Sequence, residues 1–368
     1  MKKRLTALIL LFALIFTAAL SLSSCGEKYK PVESTSEEKR TVMKISYDGE
    51  KYEVPYELYR AFFLQLKSSV DGGKNEVWTG ADKDKYIKKA DELVYKRIAD
   101  IYAVFHLCEK ADINVYSKDF DKKIQNHIET SVEGGNVDGV AYEGFGGDYD
   151  KYLAALKEMN LNYSAQALLI RYQLAYEALA KHYMGSFAND ELNSDATLGE
   201  IKYTKEDIKA FYNDESRSRR VILAFLQSDY FSKEKAEEKR AKIAACSDEK
   251  AVTNYIGSLN GVPSVEVIGK YTYDKFYYSE LTDEVFSLEV GEATQVVTLK
   301  TDDFDGYVIA YRLDATSEFF DSNYSAIATS YLYSKFGETV ENARIAIEEK
   351  ITPTDTLKEL DRSKVTMG

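Results

Sequence analysis

The sequence predicts an α+β chain, a mostly helical body into which a small four-stranded sheet-forming unit is set. Three observations carry that expectation. Between Asp84 and Lys110, Ile87, Ala90, Val94, Ile98, Ile101, Phe105 and Cys108 recur at steps of three and four, one apolar stripe on a long helix. FSLEVGEATQVVTLKTDDFDGYVIAYRLD, residues 286–314, instead crowds β-branched and aromatic residues together, with Asp305-Gly306 as a hairpin signal between two strand-like runs. After it, SNYSAIATSYLYSKFGETVENARIAIEEKI returns to helical periodicity.

The N-terminus precedes the fold. MKKR is positively charged, and LTALILLFALIFTAAL is an apolar run of the length an export signal needs. Leu22-Ser23-Ser24-Cys25-Gly26 follows. Small residues before a cysteine, directly after the apolar run, resemble the lipobox of bacterial lipoproteins. The resemblance implies that residues 1–24 are removed and that the Cys25 thiol receives a diacylglycerol. It places the chain on the extracytoplasmic face of a cell membrane, where two or more acyl chains hold stably and one is marginal. An uncleaved transmembrane anchor with an incidental cysteine is the other reading of these residues. Residues 25–42 are polar, charged and aperiodic, and are expected to form a flexible tether.

KISYDGEKYEV then reads as a short strand and a turn at Asp48-Gly49, and Pro55 suits the first turn of the helix YELYRAFFLQLKSSV. INVYSKDFDKKI and IKYTKEDIKAFY each give an extended run, a hydroxyl cap (Ser117 or Thr204) and a helix, with Thr204 and Asp207 spaced as a capping box. VEGGNVDGVAYEGFGGD is glycine-rich and is expected to be a loop, with Asp148 and Asp150 at the helix start that follows. YDKYLAALKEMNLNYSAQALLIRYQLAYEALAKHYM reads as two helices broken near Asn160-Leu161-Asn162. The polar FANDELNSDATLGE marks a domain boundary near residue 200, and residues 201–216 form a connecting helix. From 217 to 314 the order becomes strand, helix, helix, strand, short helix, strand, strand, with VILAFLQ as a buried strand. Residues 43–200 and 315–368 are left as the helical lobe.

Composition excludes several function classes. Removing residues 1–24 takes Lys2, Lys3 and Arg4 away, leaving 45 Lys+Arg against 61 Asp+Glu, a formal charge of −16. Such a surface repels nucleic acid, so no nucleic-acid partner is expected. The chain has no CxxC pattern, and Cys108 and Cys246 are expected as buried thiols or as one disulfide. No metal and no cofactor is expected. Lys300–Gly306 resembles a calcium loop only briefly, lacking the acidic first position and the closing glutamate. The three histidines, His106, His127 and His182, all fall in the first half, and His106 beside the apolar stripe reads as structural.

VFSLEVGEATQVV and GYVIAYRL, in the order given above, resemble the end of a parvulin-type peptidyl-prolyl isomerase domain across residues 217–314. IKYTKEDIKAFYND and the flanking helices resemble exported foldases of the PrsA and SurA type, and the lipobox points to the PrsA branch. The resemblance implies two facing histidines on the central strands, beneath the bound proline. Here those positions fall on Ala224 and Val308, and the third polar position falls at about Val267 or Ile268, so no catalytic residue is assigned. The implied proline-binding floor falls on Tyr277, Leu281 and Phe286, with Leu226 beside Ala224 on the first strand; an ordinary core role is the competing reading for each.

Prolyl isomerisation lowers a rotational barrier of ~18–20 kcal/mol and needs no nucleophile, only preferential binding of the twisted amide. Weak or absent isomerase activity is therefore expected alongside retained binding. The resulting expectation is a lipid-anchored foldase or chaperone for unfolded or proline-containing exported polypeptides. The alternative is a non-catalytic envelope assembly or adaptor lipoprotein with one dedicated partner. Suppressed aggregation of unrelated clients favours the first; one stoichiometric partner favours the second.

Overall fold

Asp48 and Gly49 reverse the chain almost as soon as it begins to fold. Their φ values of 51° and 85° are the left-handed pair a tight hairpin requires, and they join β1 (Thr41–Tyr47) to β2 (Glu50–Pro55). A computed structural model describes residues 28–367 apart from 138–139, 186–198, 216–217, 260–265, 273–278 and 301–303. The export segment and Cys25 lie outside the described residues. The chain divides into two compact units, residues 1–182 with 337–368, and residues 183–336. The second unit thus takes in more than residues 217–314, adding 183–216 and 315–336.

The first unit is built on helices. α1 (Tyr56–Asp71) buries Leu58, Tyr59, Phe62 and Phe63, and stops where Gly72 turns left-handed at φ 61° and its N–H donates to Ser68 O. α2 (Lys83–Lys110) presents the expected stripe, with Ala90, Val94, Ile98, Ile101, Phe105 and Cys108 all buried. Each of the valine, isoleucine and phenylalanine side chains contributes roughly 1.5–3 kcal/mol by leaving water. α3 (Lys118–Glu133) starts at Ser117, whose hydroxyl accepts from Phe120 N–H, and α4 (Tyr149–Glu158) starts at Asp148, which accepts from Lys151 N–H. The break before α5 (Tyr163–Met184) falls at Asn160, left-handed at φ 63°.

Three expectations for this unit need correction. The glycine-rich stretch is not all loop: β3 (Gly135–Val137) pairs with β4 (Val140–Tyr142) as a short hairpin. The segment expected as a free tether is docked from residue 28 onward. Glu38 accepts from Arg60 at 2.6 Å and from Asn162 at 3.1 Å, Tyr56 N–H donates to Arg40 O at 2.9 Å, and the Arg40 guanidinium lies 4.5 Å from the Tyr56 ring centre. Its polarity hid these partners, because Arg60, Asn162 and Tyr56 lie more than 15 residues along the chain from the groups they meet. The chain's end, in turn, returns as a strand as well as a helix. β9 (Ile351–Pro353) pairs antiparallel with β1, Ile351 opposite Ile45, to complete the order β2-β1-β9. Beyond it, Arg362 is buried, with Nη2 2.9 Å from Asp91 Oδ2 and Nε 3.2 Å from the Tyr59 hydroxyl.

In the second unit, α6 (Lys205–Asn213) begins with the expected capping box, Thr204 and Asp207 exchanging hydrogen bonds. Then come β5 (Ser218–Gln227), α7 (Lys233–Ala244), α8 (Glu249–Gly257), β6 (Glu266–Thr272), α9 (Ser279–Ser287), β7 (Val297–Lys300) and β8 (Asp305–Leu313). The four strands form one antiparallel sheet, β6-β5-β8-β7. Successive residues of β5 point to opposite faces. Ile222, Ala224 and Leu226 pack with Ile243 of α7 and Val252 and Ile256 of α8, whereas Val221 and Leu223 pack with Leu281 and Val285 of α9. α10 (Ser317–Ser322) and the first part of α11 (Tyr324–Glu348) complete the unit, Tyr212 lying 5.4 Å from Phe320 ring to ring. Arg220, buried in β5, pairs with Glu249 and lies 3.7 Å from the Phe319 ring centre.

Asp305-Gly306 is not the hairpin turn. Lys300 pairs with Asp305 and Leu299 with Gly306, so both residues belong to β8. Gly306 serves another purpose: a Cβ there would meet Leu226 O at 2.3 Å, so only glycine lets β8 start this close to β5.

Candidate functional site

A row of hydrocarbon crosses three strands on the α9 side of the sheet. In register, Phe225 of β5 lies opposite Val308 of β8, and Val308 opposite Val297 of β7. Beneath it, Val221, Leu223, Val308 and Ala310 meet Leu281 and Val285 in a floor that excludes solvent. Around that floor Phe225, Phe286, Val297 and Phe304 stay half-buried. Phe225 and Phe304 meet edge to face, centroids 5.5 Å apart at 84°, a favoured aromatic geometry.

Arg219 brings charge to one end of this face. Its guanidinium lies 5.0 Å from the Phe286 ring centre and Nη2 donates to Phe286 O at 3.3 Å. Burial, with Arg312 nearby, lowers its pKa from the ordinary arginine value. At the crossing of Phe225, Val308 and Val297 the side chains carry no proton donor, acceptor or nucleophile. Such a surface can bind an apolar segment and exclude water from it; it cannot exchange a proton with it.

The structure separates the residues expected to act together. Ala224 and Leu226 are fully buried on the α7–α8 face, while Leu281, Phe286 and Val308 belong to the α9 face. Ala224 therefore cannot face Val308. The β5 residue that does is Phe225, one position on, so the assumed register was off by one and every side chain changed face with it. The replacement is again hydrocarbon. Leu281 and Val308 are core rather than open groove, each at 0% exposure. Of the expected floor residues the α9 face keeps Phe286 half-exposed. Tyr277 lies outside the described residues, as does Cys25. Of the alternatives for the third polar position, Ile268 pairs with Val221 and Val267 with Ile222. Phe225 and Phe304 were missed, though the alternation of VILAFLQ signals Phe225 once Val221 is placed inward with α9.

The first unit offers a different surface. A cleft of about 630 Å³ runs between α3, α5 and the docked N-terminal segment, where Tyr29, Pro31 and Ile124 stand among Lys122, Glu129 and Arg171.

The histidines lie elsewhere. His106 is buried, with Nδ1 3.1 Å from the Tyr52 hydroxyl and Nε2 3.7 Å from Asp48; burial holds its pKa below the ordinary imidazole value. That is the structural role its place on the stripe predicts. Burial likewise lowers the His127 pKa. Cys108 and Cys246 are both free thiols, Cys108 buried and Cys246 only half so. Among the described residues no cluster of His, Cys, Asp and Glu could hold a metal, and no helix is long and apolar enough to cross a membrane.

No family model matches the chain, and no curated protein matches it. Among solved structures, it is similar to PrsA from Bacillus subtilis, at 17% identity over 85% of this chain and 93% of that one, with a TM-score of 0.25. Foldase protein PrsA from Lactococcus lactis is 12% identical over 89% of this chain and 99% of that one, at 0.25. Peptidylprolyl isomerase PrsA from Bacillus anthracis is 15% identical over 68% and 95%, at 0.26. At these scores the likeness carries no weight for function.

Proposed function

We propose that this chain is a lipid-anchored, extracytoplasmic foldase or holdase for unfolded exported polypeptides. Its parvulin-like segment, residues 217–314, grips apolar and proline-containing stretches with weak or no isomerisation of them. The observation that carries the reading is the α9 face. A sheet of order β6-β5-β8-β7 is assembled from the strand–helix–helix–strand–helix–strand–strand sequence, and the crossing of its two central strands is Phe225 against Val308. Where the family resemblance places imidazoles, this chain has hydrocarbon, and no histidine occurs after His182.

Grip follows from the rim. Half-buried aromatics offer large contact area at little cost in side-chain entropy, so they accept varied sequences. Catalysis requires tighter binding of the twisted amide than of the planar one, which needs oriented polar groups at the crossing. The formal charge of −16 on the processed chain favours solubility of client complexes. Attachment through Cys25 belongs to the same proposal.

Aggregation of several unrelated unfolded proteins, followed by light scattering, tests it. The whole chain is expected to suppress aggregation of all of them, and Phe225→Ala with Phe286→Ala to lose most of that effect while the unit stays folded by circular dichroism. Protection of none, with recovery of one stoichiometric partner from membranes, would establish the adaptor reading instead.

A further inference from the structure

Only Gly26 and Glu27 separate Cys25 from a segment that is already fixed to the first unit. The Lys28 ammonium pairs with Glu133 in the last turn of α3, and the Tyr29 hydroxyl donates to the same carboxylate at 3.1 Å. The Tyr29 ring lies 5.1 Å from that of Tyr149 in the first turn of α4, whose hydroxyl donates to Lys30 O at 2.8 Å. Ser34 then donates to Glu57 of α1. Charge pair, ring contact and hydrogen bonds all hold residues 28–30 to one patch.

We propose that this docked segment makes the membrane attachment short and stiff, holding the face that carries Glu133, Tyr149 and Lys151 against the lipid bilayer. The inference rests on the lipid attachment at Cys25 read above. Three residues span at most about 11 Å, and the headgroup layer of one leaflet is itself roughly 5–8 Å thick. Lys28 is therefore held within a few ångströms of the lipid surface, and the ends of α3 and α4 with it. A free tether running to Thr41 would set no such orientation. Lys30, exposed at this patch, places positive charge toward the headgroups on an otherwise acidic chain.

Energy transfer from a dye to the bilayer tests the orientation. The full-length protein is produced in bacteria and reconstituted in vesicles holding an acceptor lipid, with the donor on Lys151→Cys in a Cys246→Ser background. Cys108 is buried and does not compete for the label. Transfer is expected to be high, and to drop several-fold in Lys28→Ala with Tyr29→Ala and Tyr149→Phe, which together release residues 28–30 and lengthen the free reach from Cys25 to about 32 Å at Ser34. Two of the changes lie on the docked segment and the third removes a single hydroxyl, so the helices beneath keep their packing. Equal transfer in the two proteins overturns the inference and leaves lipid attachment standing. Mass spectrometry of the N-terminal peptide separates the cases: if Cys25 carries no diacylglycerol, attachment through Cys25 fails and the inference fails with it.

Discussion

At Glu38 four donors converge on one carboxylate: Thr35 through its N–H at 2.8 Å and its hydroxyl at 3.0 Å, Arg60 at 2.6 Å and Asn162 at 3.1 Å. Burial pushes its pKa up, but these hydrogen bonds outweigh burial and hold it at about 2, below the ordinary 4.5. The sign follows: the unfolded chain takes up the proton first, so the stabilisation is complete above 4.5 and disappears as pH falls toward 2. Thermal unfolding followed across that window is expected to lose stability steeply in the parent and less so in Glu38→Gln. At neutral pH the substitution costs ~1.5–3 kcal/mol, the range for a hydrogen bond to a charged group. Equal pH slopes would remove Glu38 from this role. GEKYKPVESTSEEKRTV holds only the local half of the cluster, Thr35 with Glu38; Arg60 and Asn162 are far along the chain, and charge matching leaves no periodic trace. His106 was legible for the opposite reason: its place beside an apolar stripe already fixes its burial.

Elements with a local cause were legible, and those with a distant cause were not. The capping box at Thr204, the left-handed turn at Asp48-Gly49 and the break at Asn160 are each decided within a few residues. β9 is three residues long and exists because β1 is there to receive it. Asp305-Gly306 misled because a turn dipeptide and a glycine needed for close approach look alike in sequence. On the α9 face the strand was legible and its register was not: a one-residue shift leaves VILAFLQ apolar on either side. The corrected assignment makes Leu281 core, so Leu281→Ala is expected to cost ~2–5 kcal/mol. Urea unfolding of the second unit measures it, and a cost below ~1 kcal/mol would mean that Leu281 lines an open groove instead.

At the scale of the whole molecule, grip and chemistry separate. The acidic surface disfavours polyanions, the rim of Phe225, Phe286, Val297 and Phe304 favours apolar chain, and the crossing beneath it is hydrocarbon. The order of elements made that unit visible in sequence, whereas the docked N-terminus became visible only in three dimensions. Exchange NMR on a proline-containing peptide with catalytic amounts of the protein reads binding and turnover together. The account predicts shifted peptide resonances with the cis–trans exchange rate unchanged from the free peptide. A clear acceleration of that exchange would contradict it.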